Sequence, residues 1–141
     1  MNRIEALAEF LAIEVDEELT IEDYVAEDSY TENAFDAEGG TYLVLTDEEA
    51  DAAAKEYIAD SLWTFNAEFL ASETDLPEEV FTALQERCEG ANETFRKLID
   101  GTCGLDEFAD SAISADGRGH FLAQYDHNEN EQGEYFIYRT N

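Results

Sequence analysis

Asn33-Ala34-Phe35-Asp36-Ala37-Glu38-Gly39-Gly40-Thr41-Tyr42-Leu43-Val44-Leu45-Thr46-Asp47-Glu48-Glu49 carries the chain from strand to turn to strand to helix, and its reading decides the fold. Asn33 to Ala37 is a short strand, and Thr41 to Leu45 is a second, continuously apolar one. Between them, Glu38-Gly39-Gly40 is a turn, because glycine accepts the positive φ that tight hairpins demand. The helix signal follows at once. Thr46 can accept from the amide three residues on and Glu49 can reach back, a reciprocal capping box, while Asp47 and Glu48 suit the positive end of the helix.

Outward from this centre, Ile4, Leu7, Ala8 and Leu11 form one helical stripe within residues 2–14. Thr20-Ile21-Glu22-Asp23 resembles a weaker capping box opening a turn or short helix through Val25. The helix begun at Thr46 is expected to run to about Ala71, with Ala54, Ile58, Leu62, Phe65 and Phe69 as its core stripe and Tyr57 and Trp63 at its margins. Pro77 fits a first helical turn, and Val80, Leu84 and Cys88 recur every four residues. Gly90 interrupts before Phe95, Leu98 and Ile99. Gly101 and Gly104 mark a turn ahead of a short helix over Leu105 to Ile113. His120 to Tyr125 and Glu134 to Arg139 read as a second pair of strands, joined by the polar stretch Asp126 to Gly133. The expected fold is α+β: one domain over 1–141, with a small antiparallel sheet from two hairpins (about 33–45 and 120–139) packed against several helices.

The charge is extreme. Seven basic side chains face 36 Asp and Glu, a net charge of −29, and no Lys or Arg occurs from Ile4 to Ala54. With 44% apolar residues and nine Phe, the chain is too hydrophobic for the compositional signature of disorder. Self-repulsion on this scale weakens a compact state, and it points to a basic partner or to a very salty medium. Basic protein surfaces commonly bind nucleic acid. Anionic membranes repel such a surface, no apolar run approaches the ~20 residues of a span, and no leader pattern opens the chain. A cytosolic protein with free Cys88 and Cys103 is the expectation.

The motifs for chemistry are weak. Asp126 to Gly133 begins like a calcium loop, but Glu131 occupies the glycine position and Ile137 that of the bidentate acid. His120 and His127, the two histidines, lack helical metal spacing. No phosphate loop or nucleophile elbow is present, and carboxylate pairs arise by chance among so many acids. Asp116-Gly117-Arg118-Gly119-His120 suggests a tight turn exposing Arg118. No enzyme, cofactor or metal is expected.

The candidate binding residues are therefore acidic: Asp47, Glu48, Glu49, Asp51, Asp60 and Glu68 off the core stripe of the long helix, with Glu78, Glu79 and Glu86 extending them. Carboxylates three or four apart on a helix stand about 5–6 Å from one another. DNA carries a phosphate per ~3.4 Å of rise on each strand. A helical carboxylate ladder can thus occupy a groove built for a phosphate backbone. A merely solvated face, or salt adaptation of a Lys-poor surface, is the competing account. On the binding reading, changing Glu48, Glu49 and Asp51 together to Lys should abolish binding without unfolding the chain.

Asp116-Gly117-Arg118-Gly119-His120-Phe121-Leu122-Ala123-Gln124-Tyr125-Asp126 and Tyr135-Phe136-Ile137-Tyr138-Arg139-Thr140-Asn141 resemble blocks of a group of small bacteriophage proteins, mostly uncharacterised. Tyr42-Leu43-Val44-Leu45-Thr46-Asp47-Glu48-Glu49-Ala50 and Leu76-Pro77-Glu78-Glu79 resemble further blocks of it. The resemblance brings no catalytic residue with it. It implies a phage origin, and in size and charge the chain is similar to DNA-mimicking phage inhibitors of restriction and CRISPR complexes. The expected partner is then a basic nucleic-acid-binding protein in the cytoplasm of the infected host, and direct nucleic-acid binding is not expected. An acidic phage adaptor without mimicry, or a salt-adapted domain, is the alternative.

Overall fold

The computed structural model describes residues 1–13, 22–24 and 33–141. The chain divides into two compact units, one formed by Met1–Ala54 with Asp116–Asn141 and the other by Lys55–Ala115.

The first unit is built on a five-stranded antiparallel sheet in the order β1-β2-β3-β5-β4. Its strands are β1 (Glu22–Tyr24), β2 (Ala34–Ala37), β3 (Gly40–Thr46), β4 (Asn130–Gln132) and β5 (Tyr135–Arg139). Ala37 pairs with Gly40, so Glu38 and Gly39 form the turn, at φ of 50° and 78°. Positive φ at both central residues is what a type I′ hairpin requires. Helix α1 (Arg3–Leu11) buries Ala6, Leu7 and Ala8 against Phe35, Ala37, Tyr42, Val44 and Ile137. Because side chains alternate along a strand, Leu43 and Leu45 lie on the opposite face, paired with Tyr138 and Phe136 of β5. Burial on both faces explains why β3 reads as an unbroken apolar run.

The capping box forms as read. At the start of α2 (Asp47–Asp60), the Glu49 amide donates to Thr46 Oγ1 (3.2 Å) and the Thr46 amide donates to Glu49 Oε1 (2.8 Å).

The second hairpin is shorter than expected. It comprises β4 and β5 around Gly133 and Glu134, and 120–125 is no strand: Arg118–Leu122 is a short helix, α7. Gly117, at φ 85°, turns the chain, and Phe121, Leu122 and Ala123 are then buried in succession. One helical turn can bury three consecutive residues, whereas a one-sided strand buries every second one. Glu22–Tyr24 is a strand where the sequence suggested a turn or helix, and Thr20, Ile21 and Val25 lie outside the described residues.

The second unit is helical. The helix expected to reach Ala71 ends at Asp60, followed by a 3-10 turn (Leu62–Thr64) and α3 (Ala67–Thr74). No Gly or Pro breaks it; distant side chains do. Asn92 Nδ2 donates to the Ala59 carbonyl (2.9 Å), while its Oδ1 accepts the Trp63 amide (3.3 Å). Gln85 donates to the Phe65 carbonyl, and Asn66 caps α3 through the Glu68 amide. These groups satisfy the polar backbone that helix termini leave open. The stripe Ala54, Ile58 and Leu62 is buried, whereas Phe65 and Phe69 are half-buried and pack around Phe108, with centroids 5.3 and 5.5 Å away. Pro77 immediately precedes α4 (Glu78–Gln85). The every-fourth pattern there misplaces the core: Phe81 is fully buried and stacks on Phe95, while Val80 and Cys88 are exposed. A 3-10 turn (Cys88–Ala91), α5 (Asn92–Asp100) and α6 (Leu105–Asp116) complete the order.

Candidate acidic interface

Acids gather at helix starts. Asp47, Glu48 and Glu49 occupy the first turn of α2, Glu68 that of α3, Glu78 and Glu79 that of α4, and Asp106 and Glu107 that of α6. Each carboxylate meets the positive end of a helix dipole there. The last turns of α1 to α4 and of α6 hold no basic residue. Part of the charge thus serves the helices that display it.

The nine candidate acids divide between the units. Asp47, Glu48, Glu49 and Asp51 belong to the first, and Asp60, Glu68, Glu78, Glu79 and Glu86 to the second. Glu48, Glu68, Glu78, Glu79 and Glu86 are exposed. Asp47, Asp51 and Asp60 are exposed too but, like half-buried Glu49, are engaged by cations. Asp60 lies 3.4 Å from Arg96, and Asp47 and Asp51 lie 2.9 and 3.3 Å from Arg118. Glu89 and Glu93 of the second unit are likewise exposed.

Glu49 is the most committed. Arg3 grips both its oxygens (2.7 and 2.9 Å), donates to the Val44 carbonyl, and lies over the Tyr135 ring. The Arg3 hydrogen bonds hold the Glu49 carboxyl below its usual range, against an opposing effect of burial, with help from Thr46. Changing Glu48, Glu49 and Asp51 together to Lys would therefore disturb the fold as well as the surface, and Glu49 is unsuitable for a binding test.

A pH dependence follows for Glu49→Gln. A carboxyl with a lowered folded pKa contributes stability above its unfolded value, and that contribution is lost as pH falls through the folded one. Wild type should exceed Glu49→Gln by about 1 kcal/mol at neutral pH, a modest figure because the side chain is 36% exposed and solvent-screened. The difference should shrink as pH falls below the ordinary carboxylate range; thermal melts of both proteins from about pH 7 to about pH 3 check this.

Arg118 reverses the sequence expectation. Its side chain is 10% exposed, held by the Asp47 carbonyl and carboxylate, Asp51 and Glu129 (2.7 Å), with the guanidinium 4.8 Å from the Phe136 ring centroid. Burial works against its charge, but the hydrogen bonds to Glu129 and Asp47 outweigh that and raise its pKa. Glu129 also accepts the Tyr138 hydroxyl, whose pKa is pushed up by burial and by that carboxylate, so the hydroxyl stays a donor. In the second unit Lys55 pairs with Asp106 and Asp110. The Gly-Arg-Gly motif was the one sequence signal for the Arg118 cluster.

Among the described residues, no group of three or more His, Cys, Asp and Glu could hold a metal ion, and no helix is long and apolar enough to cross a membrane. Comparison with protein-family models, curated proteins and solved structures finds no match.

Proposed function

We propose that this chain is a non-enzymatic, DNA-mimicking inhibitor that occupies the basic nucleic-acid-binding groove of a host defence complex, a restriction or CRISPR enzyme, during phage infection. The observation that supports this most is the fate of the cations. Arg3, Lys55, Arg96 and Arg118 are paired with the chain's own acids. Those pairs neutralise only a small part of the 36 carboxylates. What remains outside is a surface of helix-borne acids that repels nucleic acid and attracts whatever binds it. Association is fast by electrostatic steering and weakens steeply with salt.

The test is affinity capture from bacterial lysate, with elution by competing DNA and by rising salt. Recovery of a nuclease or a nucleic-acid-guided complex supports the reading, and recovery of ribosomal debris alone counts against it. Changing Glu68, Glu78, Glu79 and Glu86 together to Lys moves the net charge from −29 by +8 to −21. These four are exposed, so the variant should fold. It should lose about tenfold or more in affinity, mainly in association rate. Binding at full strength would exclude the acids of the second unit as the contact.

A further inference from the structure

Tyr125 is 60% exposed, the most exposed large hydrophobic residue among those described. A lone apolar side chain at the surface is ordinary. Tyr125 differs because it is held. The Arg139 guanidinium lies 3.8 Å from its ring centroid, and the Tyr125 amide donates to the Arg139 carbonyl (3.1 Å). Arg139 is itself fixed, 5.6 Å from the ring centroid of buried Tyr42 and donating through Nε to the Asn141 carbonyl (3.0 Å). The ring thus has guanidinium on one face and is rooted through it in the core. Exposed Asp126 follows directly, its carboxylate fixed by the Asn128 amide (3.1 Å).

A flat ring, open on one side and followed by an anion, is what an unpaired nucleotide offers a protein. Proteins that handle unpaired or extruded bases stack them on aromatic or arginine planes. An aromatic already immobilised pays little conformational entropy on docking, the quality of a binding anchor. We propose that Tyr125, with Asp126 beside it, is a base-like anchor on the first unit, entering the place in a basic groove where an unpaired base stacks. This rests on the inhibitor reading above and narrows its partner to proteins that bind single-stranded or flipped-out nucleotides. Charge alone suits every basic groove, so the ring supplies the selectivity.

The experiment uses the full chain and a purified partner recovered by the capture above, with displacement of a labelled single-stranded oligonucleotide as readout. Tyr125→Phe keeps the ring and should inhibit within about twofold of wild type. Tyr125→Ala should weaken inhibition about tenfold or more, the scale of one stacked base, with a thermal midpoint within a few degrees of wild type. If Tyr125→Ala inhibits like wild type while Lys at Glu68, Glu78, Glu79 and Glu86 weakens inhibition, the anchor is overturned and the acidic reading stands. A lowered midpoint with unchanged inhibition also overturns it, since Tyr125 then only covers Arg139. If the wild-type chain displaces duplex DNA but no single-stranded oligonucleotide from the recovered partner, the anchor is overturned and the acidic reading stands; if it displaces neither, both fall.

Discussion

Arg118→Leu should destabilise the protein by about 2–3 kcal/mol while making it more acidic. The half-buried guanidinium is the shared counterion of Asp47, Asp51 and Glu129, and removing it leaves three carboxylates converging on an apolar side chain. Stripping one partner from a buried charge cluster typically costs about 3–5 kcal/mol. The lower figure applies because Asp47 and Asp51 are 74% and 53% exposed, and water takes over part of Arg118's role. Added salt should restore some of the loss by screening the repulsion. Arg118→Lys should rescue only in part, since a single ammonium cannot reproduce the planar fork that reaches Glu129 through Nε and Asp47 through Nη1. Denaturant unfolding at low and high salt reads both effects. A loss below about 0.5 kcal/mol would mean the cluster is a surface decoration.

Gly119→Ala should destabilise by about 2–3 kcal/mol, opposite in sign to what helix propensity suggests. Replacing glycine by alanine inside a helix ordinarily gains up to about 1 kcal/mol. Here the added methyl would sit 2.7 Å from the His127 carbonyl oxygen and 2.9 Å from the Asn128 carbonyl carbon and the Glu129 nitrogen. All three are backbone atoms, so the strain cannot relax by a rotamer change and the 127–129 segment must move. That segment carries Glu129, which holds both Arg118 and Tyr138. The double variant with Arg118→Leu should therefore cost less than the two single changes added together, because both damage one cluster. Equilibrium unfolding of the single and double variants measures the coupling, and a stabilised Gly119→Ala would refute the close packing.

Elements governed by neighbours in the chain were legible. The Thr46–Glu49 box, the Glu38-Gly39-Gly40 turn and the α1 stripe each depend on residues within about one turn of each other; the box and the stripe formed as read, and the turn did so with Gly40 already in β3. The misreadings share another cause. Asn92 ends α2 from 33 residues away, and no periodicity within α2 carries that information. Phe81 was passed over because a period of four is nearly as regular as the true burial pattern, and only its stacking on Phe95 selects the face. At 120–125, alternation suggested a strand, while Gly119's seat against 127–129 commits the segment to a helical turn. Asn66 ahead of Ala67-Glu68 was a readable cap in the middle of the supposed long helix.

The acidic candidates show the same division. Composition alone established that this surface carries a charge of −29, because no arrangement of seven cations can neutralise 36 carboxylates. Local spacing put most of those acids on helices, since capping signals and the dipole of the first turn favour them there. Which cation each acid is tied to was decided by the tertiary structure. Glu49 and Asp47 look alike in the sequence, both in the first turn of α2, yet one is clasped by Arg3 from α1 and the other by Arg118 from α7. The reason is physical: a charge is summed without knowing where it sits, whereas an ion pair exists only when folding brings its two members within a few ångströms.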